Sequence, residues 1–258
     1  MKKIFYQICA AFIRNKEKRK AFRRKYRASL KYPKSAAWIK EDNHVYLIDS
    51  KNGVKQEIFN DLDGLHFDIS GRNNIIEIYT PIGRFVNTTI FIAKSNGVRI
   101  TFEQNIFLTG CFFSIWRGEN QKCFIGQWTS FSGNDVINIH NNSSLYIGTD
   151  CMFSNNVDIW CSDGHVIFDD KSKQVLNYPA ECLKIGNHCW IGYGAKILKG
   201  AGLKDNSILG AFSVLTNSID ESNVIVAGFP AKIIKKNINW SRQTIQEYEK
   251  DILKTPPN

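Results

Sequence analysis

One large aliphatic residue returns every six positions along the C-terminal half of the chain: Ile185, Ile191, Ile197, Leu203, Leu209 and Leu215. Four residues after the first five of these come Cys189, Ala195, Ala201, Ser207 and Ser213, all small. The same spacing occurs upstream at Ile147, Phe153 and Ile159, and at Ile125, Phe131 and Ile137. A helix repeats every 3.6 residues and a strand every 2, so a period of six belongs to neither. It is the signature of a β-solenoid. Residues 72–110 are strand-like but less regular.

Each six residues make one brief strand and one tight corner, and three such units close a triangular coil. The aliphatic column points into the prism and stacks coil on coil at strand spacing, about 4.8 Å. Small residues let the chain bend. Gly186-Asn187 and Asp205-Asn206 are expected to supply the left-handed backbone of such corners. Coils touch only their neighbours, so both ends need caps.

The segment from Ile185 to Lys236, with WIG at 190–192, ILGAFSVLT at 208–216 and AGFPAKII at 227–234, resembles the C-terminal signature of the hexapeptide-repeat acyltransferases. Within that family it looks most like the capsular and lipopolysaccharide O-acetyltransferases of sialic acid type. The likeness is strong over residues 145–240 and weaker over 70–145. It implies an all-β fold, a left-handed parallel β-helix, assembled as a homotrimer with active sites between subunits.

The division expected is a basic helical segment at 1–40, the β-helix at 41–235 with a catalytic loop at 160–184, and a C-terminal helical tail at 236–258. Charge supports the first boundary. Residues 1–31 hold 12 Lys and Arg against the single acid Glu17, a net of +11, and the rest of the chain sums to −1. Ile4, Phe5, Ile8, Cys9, Phe12 and Ile13 follow helical spacing ahead of the basic run. An apolar stripe followed by cations suits an anionic membrane surface. A packing helix or a contact with an acidic glycan are the alternatives, and nucleic acid is not expected, since no nucleic-acid-binding fold accompanies the charge. No run of 18 apolar residues occurs, and the expected location is the cytoplasm, peripheral at the inner membrane face. The seven Cys include no C-x-x-C pair, which excludes zinc-ribbon and thioredoxin readings. Cys151 and Cys189 fall in the small-residue corner column and read as core.

The register breaks once. Ile159 and Ile185 lie 26 residues apart, and the polar stretch between them carries CSDGHVIFDD. Loops of this length in a compact domain are usually functional or disordered. Acyl transfer to an alcohol needs a base, and histidine suits that role near neutral pH. It also needs oxyanion donors, which backbone N–H groups provide. No G-x-S-x-G elbow is present, so a covalent acyl-enzyme is not suggested.

The resemblance implies that His165 is the general base and that Trp190 lies near the active site. Asp163 or Asp169 would orient the imidazole. It places Tyr193 and Gly194 beside the thioester arm of acetyl-CoA, Ala211 and Thr216 along the pantetheine and nucleotide, and Lys232 and Lys235 near the phosphates. Phe212 stands where the family often has Gly. Asn134 and Asn138 are candidates for the acceptor side. No metal is expected, since the three-histidine spacing of the related γ-class carbonic anhydrases is not visible; His44, His66, His140 and His188 read as structural or solvated.

The reading is an acetyl-CoA-dependent O-acetyltransferase acting on a sugar hydroxyl of a bacterial surface polysaccharide, by direct transfer. The alternatives are an N-acetyltransferase acting on an amino-sugar nucleotide, or a non-catalytic scaffold trimer.

Overall fold

The computed structural model describes Ile39 and residues 42–180 and 182–254. The basic stretch 1–31 lies outside the described residues. The chain winds as a left-handed parallel β-helix of three sheets, here sheets I, II and III, with nine, eight and seven strands among the described residues. From Ile75 to Leu215 each coil visits them in that order.

The six-residue period is the side of the triangle. In sheet I, Ile125, Ile147, Ile185 and Leu203 stack in register. In sheet II the column is Phe131, Phe153, Ile191, Leu209 and Val226. In sheet III it is Ile137, Ile159, Ile197 and Leu215. All twelve side chains at Ile125–Ile137, Ile147–Ile159, Ile185–Ile197 and Leu203–Leu215 are buried, Ile197 and Leu209 completely. Phe131 and Phe153 stack face to face at 4.1 Å. The corner column Cys151, Cys189, Ala195, Ala201, Ser207 and Ser213 is buried too; any larger side chain there would collide with the next coil.

The N-terminal coils lose the six-residue period because sheet III widens. Thr88–Asn96 and Phe112–Glu119 are long strands, so the stacked residues Ile78, Phe102, Ile125 and Ile147 are 22–24 positions apart. An antiparallel strand closes each end of the stack: Lys55–Ile58 beside His44–Asp49, and Ala231–Lys236 beside Val224–Gly228. A helix, Ile245–Lys254, follows.

The left-handed corner residues are not all where the sequence suggests. Between sheets I and II, positive φ falls on Asn105, Trp128, Asp150, His188, Asn206 and Asn223. Asn206 agrees with expectation, but at 186–188 the left-handed residue is His188. Gly186 is needed for space: a Cβ there would stand 2.2 Å from the Asp205 carboxylate and 2.7 Å from its backbone nitrogen.

Candidate active site

Strand Asp158–Trp160 is the sheet III side of its coil, and strand Leu183–Ile185 begins the next coil in sheet I. Between them the chain leaves the prism at the III/I corner as a hairpin-like excursion. Phe168 pairs with Val175 across it, and Leu176 N–H donates to Ile167 C=O at 2.8 Å. Gly164, at φ 75°, makes the turn into His165.

The backbone of His165 is held while its ring is exposed. Asn177 Nδ2 donates to the His165 carbonyl at 2.8 Å and to Asp163 Oδ2 at 2.9 Å, and Asn177 Oδ1 accepts from Ile167 N–H at 2.7 Å. Lys199, one coil on, pairs with Asp163. Burial raises the Asp163 pKa, but the bonds from Lys199 and Asn177 and the Lys199 charge outweigh it, so the carboxyl sits below its usual range. Asp169 is lowered by backbone and hydroxyl donors of Ser172. Neither carboxylate touches the imidazole. Asp163 instead ties the excursion to the prism, and Asp169 closes its tip.

Trp190 lies elsewhere, on the outer face of sheet II between Met152 and Ile208. It is partly exposed, and its Nε1 points to Ser154 Oγ at 3.5 Å. The C-terminal segment flanks it. Trp240 stacks on His188 and stands 6.0 Å from Trp190. Arg242 fastens that segment through Asp150 Oδ1 (2.9 Å), Ser130 Oγ (2.9 Å), Trp128 C=O (3.2 Å) and Cys151 C=O (2.9 Å).

Tyr193, Gly194 and Ala211 share the II/III corner. Tyr193 OH accepts from Asn156 Nδ2 at 2.7 Å, and its ring meets Phe212 edge-on at 5.3 Å. Phe212 occupies a left-handed corner position at φ 55°, which costs nothing for glycine and strains an L-residue. Its ring lies over Gly194, where a Cβ would approach to 2.8 Å. Lys232 and Lys235 are exposed on the closing strand of sheet II. Thr216 is apart from these, at the III/I corner, on the same edge as Lys199 and the excursion. Asn134 is exposed at the II/III corner, and Asn138 is buried in sheet III. One prism therefore carries His165 and Thr216 on one edge, and Trp190, Tyr193, Gly194 and Ala211 on other parts of its surface.

Sequence reasoning missed Asn177, Lys199, Trp240 and Arg242. Their roles depend on contacts between segments distant in sequence, which no local pattern announces. His188, expected to be structural or solvated, is structural: Nδ1 meets Asp150 Oδ2 at 2.7 Å and Nε2 meets the Trp240 carbonyl at 3.0 Å. His140, half-buried, meets Ser114 Oγ at 3.2 Å.

The left-handed β-helix with its six-residue repeat places the chain among the hexapeptide-repeat acetyltransferases. The chain belongs to the family of the polysialic acid O-acetyltransferases. It is 38% identical over 176 residues to the polysialic acid O-acetyltransferase of Neisseria meningitidis, a match covering 68% of this chain and 79% of that one. It is 34% identical over 125 residues to the enzyme of the same name from Escherichia coli O1:K1, covering 48% of this chain and 39% of that longer relative. The crystal structure of the polysialic acid O-acetyltransferase OatWY superimposes with a TM-score of 0.62 at 28% identity, over 74% of this chain and 95% of that one. No family profile matches the chain. Among the described residues no helix is long and apolar enough to cross a membrane.

Proposed function

We propose that this enzyme transfers the acetyl group of acetyl-CoA to a sugar hydroxyl of a bacterial surface polysaccharide, with His165 as general base. The observation that carries the reading is the state of His165. Its backbone is fixed by Asn177, and its ring makes no hydrogen bond within the described residues. Such a ring is free to take a proton from an acceptor hydroxyl. The names of the Neisseria and Escherichia relatives support a sialic acid polymer as acceptor. A lipopolysaccharide O-acetyltransferase homologue from E. coli, 31% identical over 110 residues, widens the class to surface glycans generally.

The residues present fit acetyl-CoA. Gly194 and Ala211 leave little side chain of their own at the II/III corner, where an exposed Phe212 ring lies over Gly194 and would turn aside for a pantetheine arm, and Lys232 and Lys235 supply charge for phosphates. Acetyl-CoA brings the activated acyl group. This chain's part is to hold it, to keep Trp190 in place through Trp240, and to move the hydroxyl proton to His165. Orientation of the two substrates supplies much of the rate. The same groove would serve an amine acceptor, but the relatives' names favour an alcohol.

The working form is a homotrimer with composite sites. His165 and the Trp190–Tyr193–Ala211 surface lie on different parts of one prism, so one copy supplies the base and its neighbour the groove. The excursion is built for such packing, since Val166, Ile167, Phe168, Leu176 and Tyr178 are exposed apolar side chains. We place the enzyme in the cytoplasm, with residues 1–31 holding it at the inner membrane face.

The test is thiol release from acetyl-CoA across a panel of oligosialic acid, other acidic and neutral glycans, and an amino sugar. Transfer to a glycan hydroxyl is expected. Transfer only to the amine, or to no acceptor, contradicts the reading.

A further inference from the structure

The outer face of sheet III carries a second group of functional side chains, one and two coils before the excursion. Along the strands Phe112–Glu119, Val136–His140 and Asp158–Trp160 the inward residues alternate with outward ones. The outward residues form three columns in register. One runs Thr89, Phe112, Val136, Asp158; the second runs Phe91, Ser114, Asn138, Trp160; the third runs Ala93, Trp116, His140.

Three features of this face are unlike a solvated sheet. First, Ser114 and Asn138 face outward yet are more than nine-tenths buried, because large rings flank them. Asn138 Nδ2 is fully buried and has no hydrogen-bond partner. A donor left so costs about 1–3 kcal/mol. Secondly, Trp160, its neighbour in register, is an exposed indole. Thirdly, the guanidinium of Arg117 lies 3.9 Å from the centre of the Trp116 ring, and Lys94 Nζ lies 5.8 Å from it. Lys94 and Arg117 occupy equivalent left-handed positions within the long strands of successive coils, at φ 53° and 52°. The next coil puts Asn141 at that position, at φ 53°. Asn is tolerated there; long basic residues are strained. The edge of Trp116 meets His140 at 5.7 Å. Burial and the Arg117 charge hold the His140 imidazole below its usual pKa, so it stays neutral and able to bond a hydroxyl.

We infer that this face is an extended subsite for a carboxylate-bearing sugar chain. Arg117, laid flat on Trp116, grips a carboxylate with Lys94 beside it; Trp160 stacks a sugar ring; Ser114, Asn138 and His140 bond its hydroxyls. Arg suits the first task because its planar fork matches a carboxylate and stacks on an aromatic face without losing its donors. A sugar ring has an apolar face for the indole and hydroxyls that can give the Asn138 amide a partner. Trp116 and Trp160 stand two coils apart, about 10 Å, room for about two sugar residues on the way to the excursion. Three acids lie on this face: Asp68 at the far end of the Phe91 column, Glu119 exposed at the end of the strand that carries Arg117, and Asp158, neutralised by Lys196 at 2.6 Å. The inference rests on the glycan-acceptor reading and adds to it the direction and charge of the bound chain.

The test uses the full-length protein without acetyl-CoA, titrated with a sialic acid hexamer and with a neutral hexasaccharide. The double variant Lys94→Gln/Arg117→Gln should weaken the acidic ligand about tenfold or more and flatten the salt dependence of its binding. Trp160→Ala should weaken both ligands. Asn138→Leu supplies an independent check, since removing an unpaired buried donor should raise Tm while weakening binding. Equal hexamer affinity in wild type and the double variant overturns the subsite. So does a change of oligomeric state by sedimentation in that variant, which would make the face a subunit interface. Wild-type acetyl transfer to the glycan is measured separately. Its presence alongside unchanged hexamer binding removes only the subsite, and its absence removes the acceptor reading.

Discussion

The imidazole of His188 lies flat on the indole of Trp240, ring centres 4.3 Å apart and planes 11° from parallel. The two are also cross-bonded: Trp240 Nε1 donates to the His188 carbonyl at 2.7 Å, and His188 Nε2 meets the Trp240 carbonyl at 3.0 Å. With Arg242 this fastens the C-terminal segment along the I/II corner, beside Trp190. Trp240→Ala should release it. Limited proteolysis should then cut between about 237 and 244, and global stability should fall by about 1–3 kcal/mol, less than a fully buried Trp truncation. A proteolysis pattern identical to wild type would show that the stack does not hold the segment.

Ile197 and Leu209 are completely buried, each with an aliphatic neighbour on the coil above and below. Truncating either to Ala removes transfer energy and leaves a cavity, so each should cost about 2–5 kcal/mol in chemical denaturation. Losses under 1 kcal/mol at both sites would contradict the stacking.

These two residues were legible because one period of six describes them both. The break at Ile159 was legible for the same reason, as a failure of that period. What lay beyond local pattern is instructive. Asn177 reaches back 12 residues to His165, Lys199 reaches 36 to Asp163, and Trp240 reaches 52 to His188. Such contacts are set by where a finished coil puts its corners. The left-handed position at His188 was hidden because Gly186 and Asn187, two better candidates, stand beside it. Widening of sheet III masked the period before residue 125. The candidate residues Tyr193, Gly194 and Ala211 fell together on one corner because they follow the stacking period, and Thr216 fell on another for the same reason.

Asp135 is buried at the II/III corner, and burial pushes its carboxyl up to about 7. The N–H groups of Val157 (2.8 Å) and Gly133 (3.1 Å) pull the other way, and burial prevails. The unfolded chain releases this proton near 3.8. Between about 4 and 7 the folded state therefore binds more protons than the unfolded one, and stability contributed by this group falls as pH rises through that window. Thermal melts from pH 4.5 to 7.5 should show a shallower decline for Asp135→Asn than for wild type. Equal slopes would mean that Asp135 is ionised throughout.

Phe212 is an exposed aromatic at a left-handed corner, over Gly194. Phe212→Gly removes that strain and uncovers the corner proposed for pantetheine. Stability should change by less than about 1 kcal/mol, and KM for acetyl-CoA should fall. A raised KM would show that the ring helps to bind the cofactor.

The most direct test of the account is His165→Ala, measured for turnover with acetyl-CoA and a sialic acid oligomer and, separately, for acetyl-CoA affinity by calorimetry. Loss of a general base lowers turnover by about two to four decades, and the groove residues lie on a different part of the prism, so affinity should change by less than about twofold. Near-normal turnover in the variant would contradict the assignment of His165.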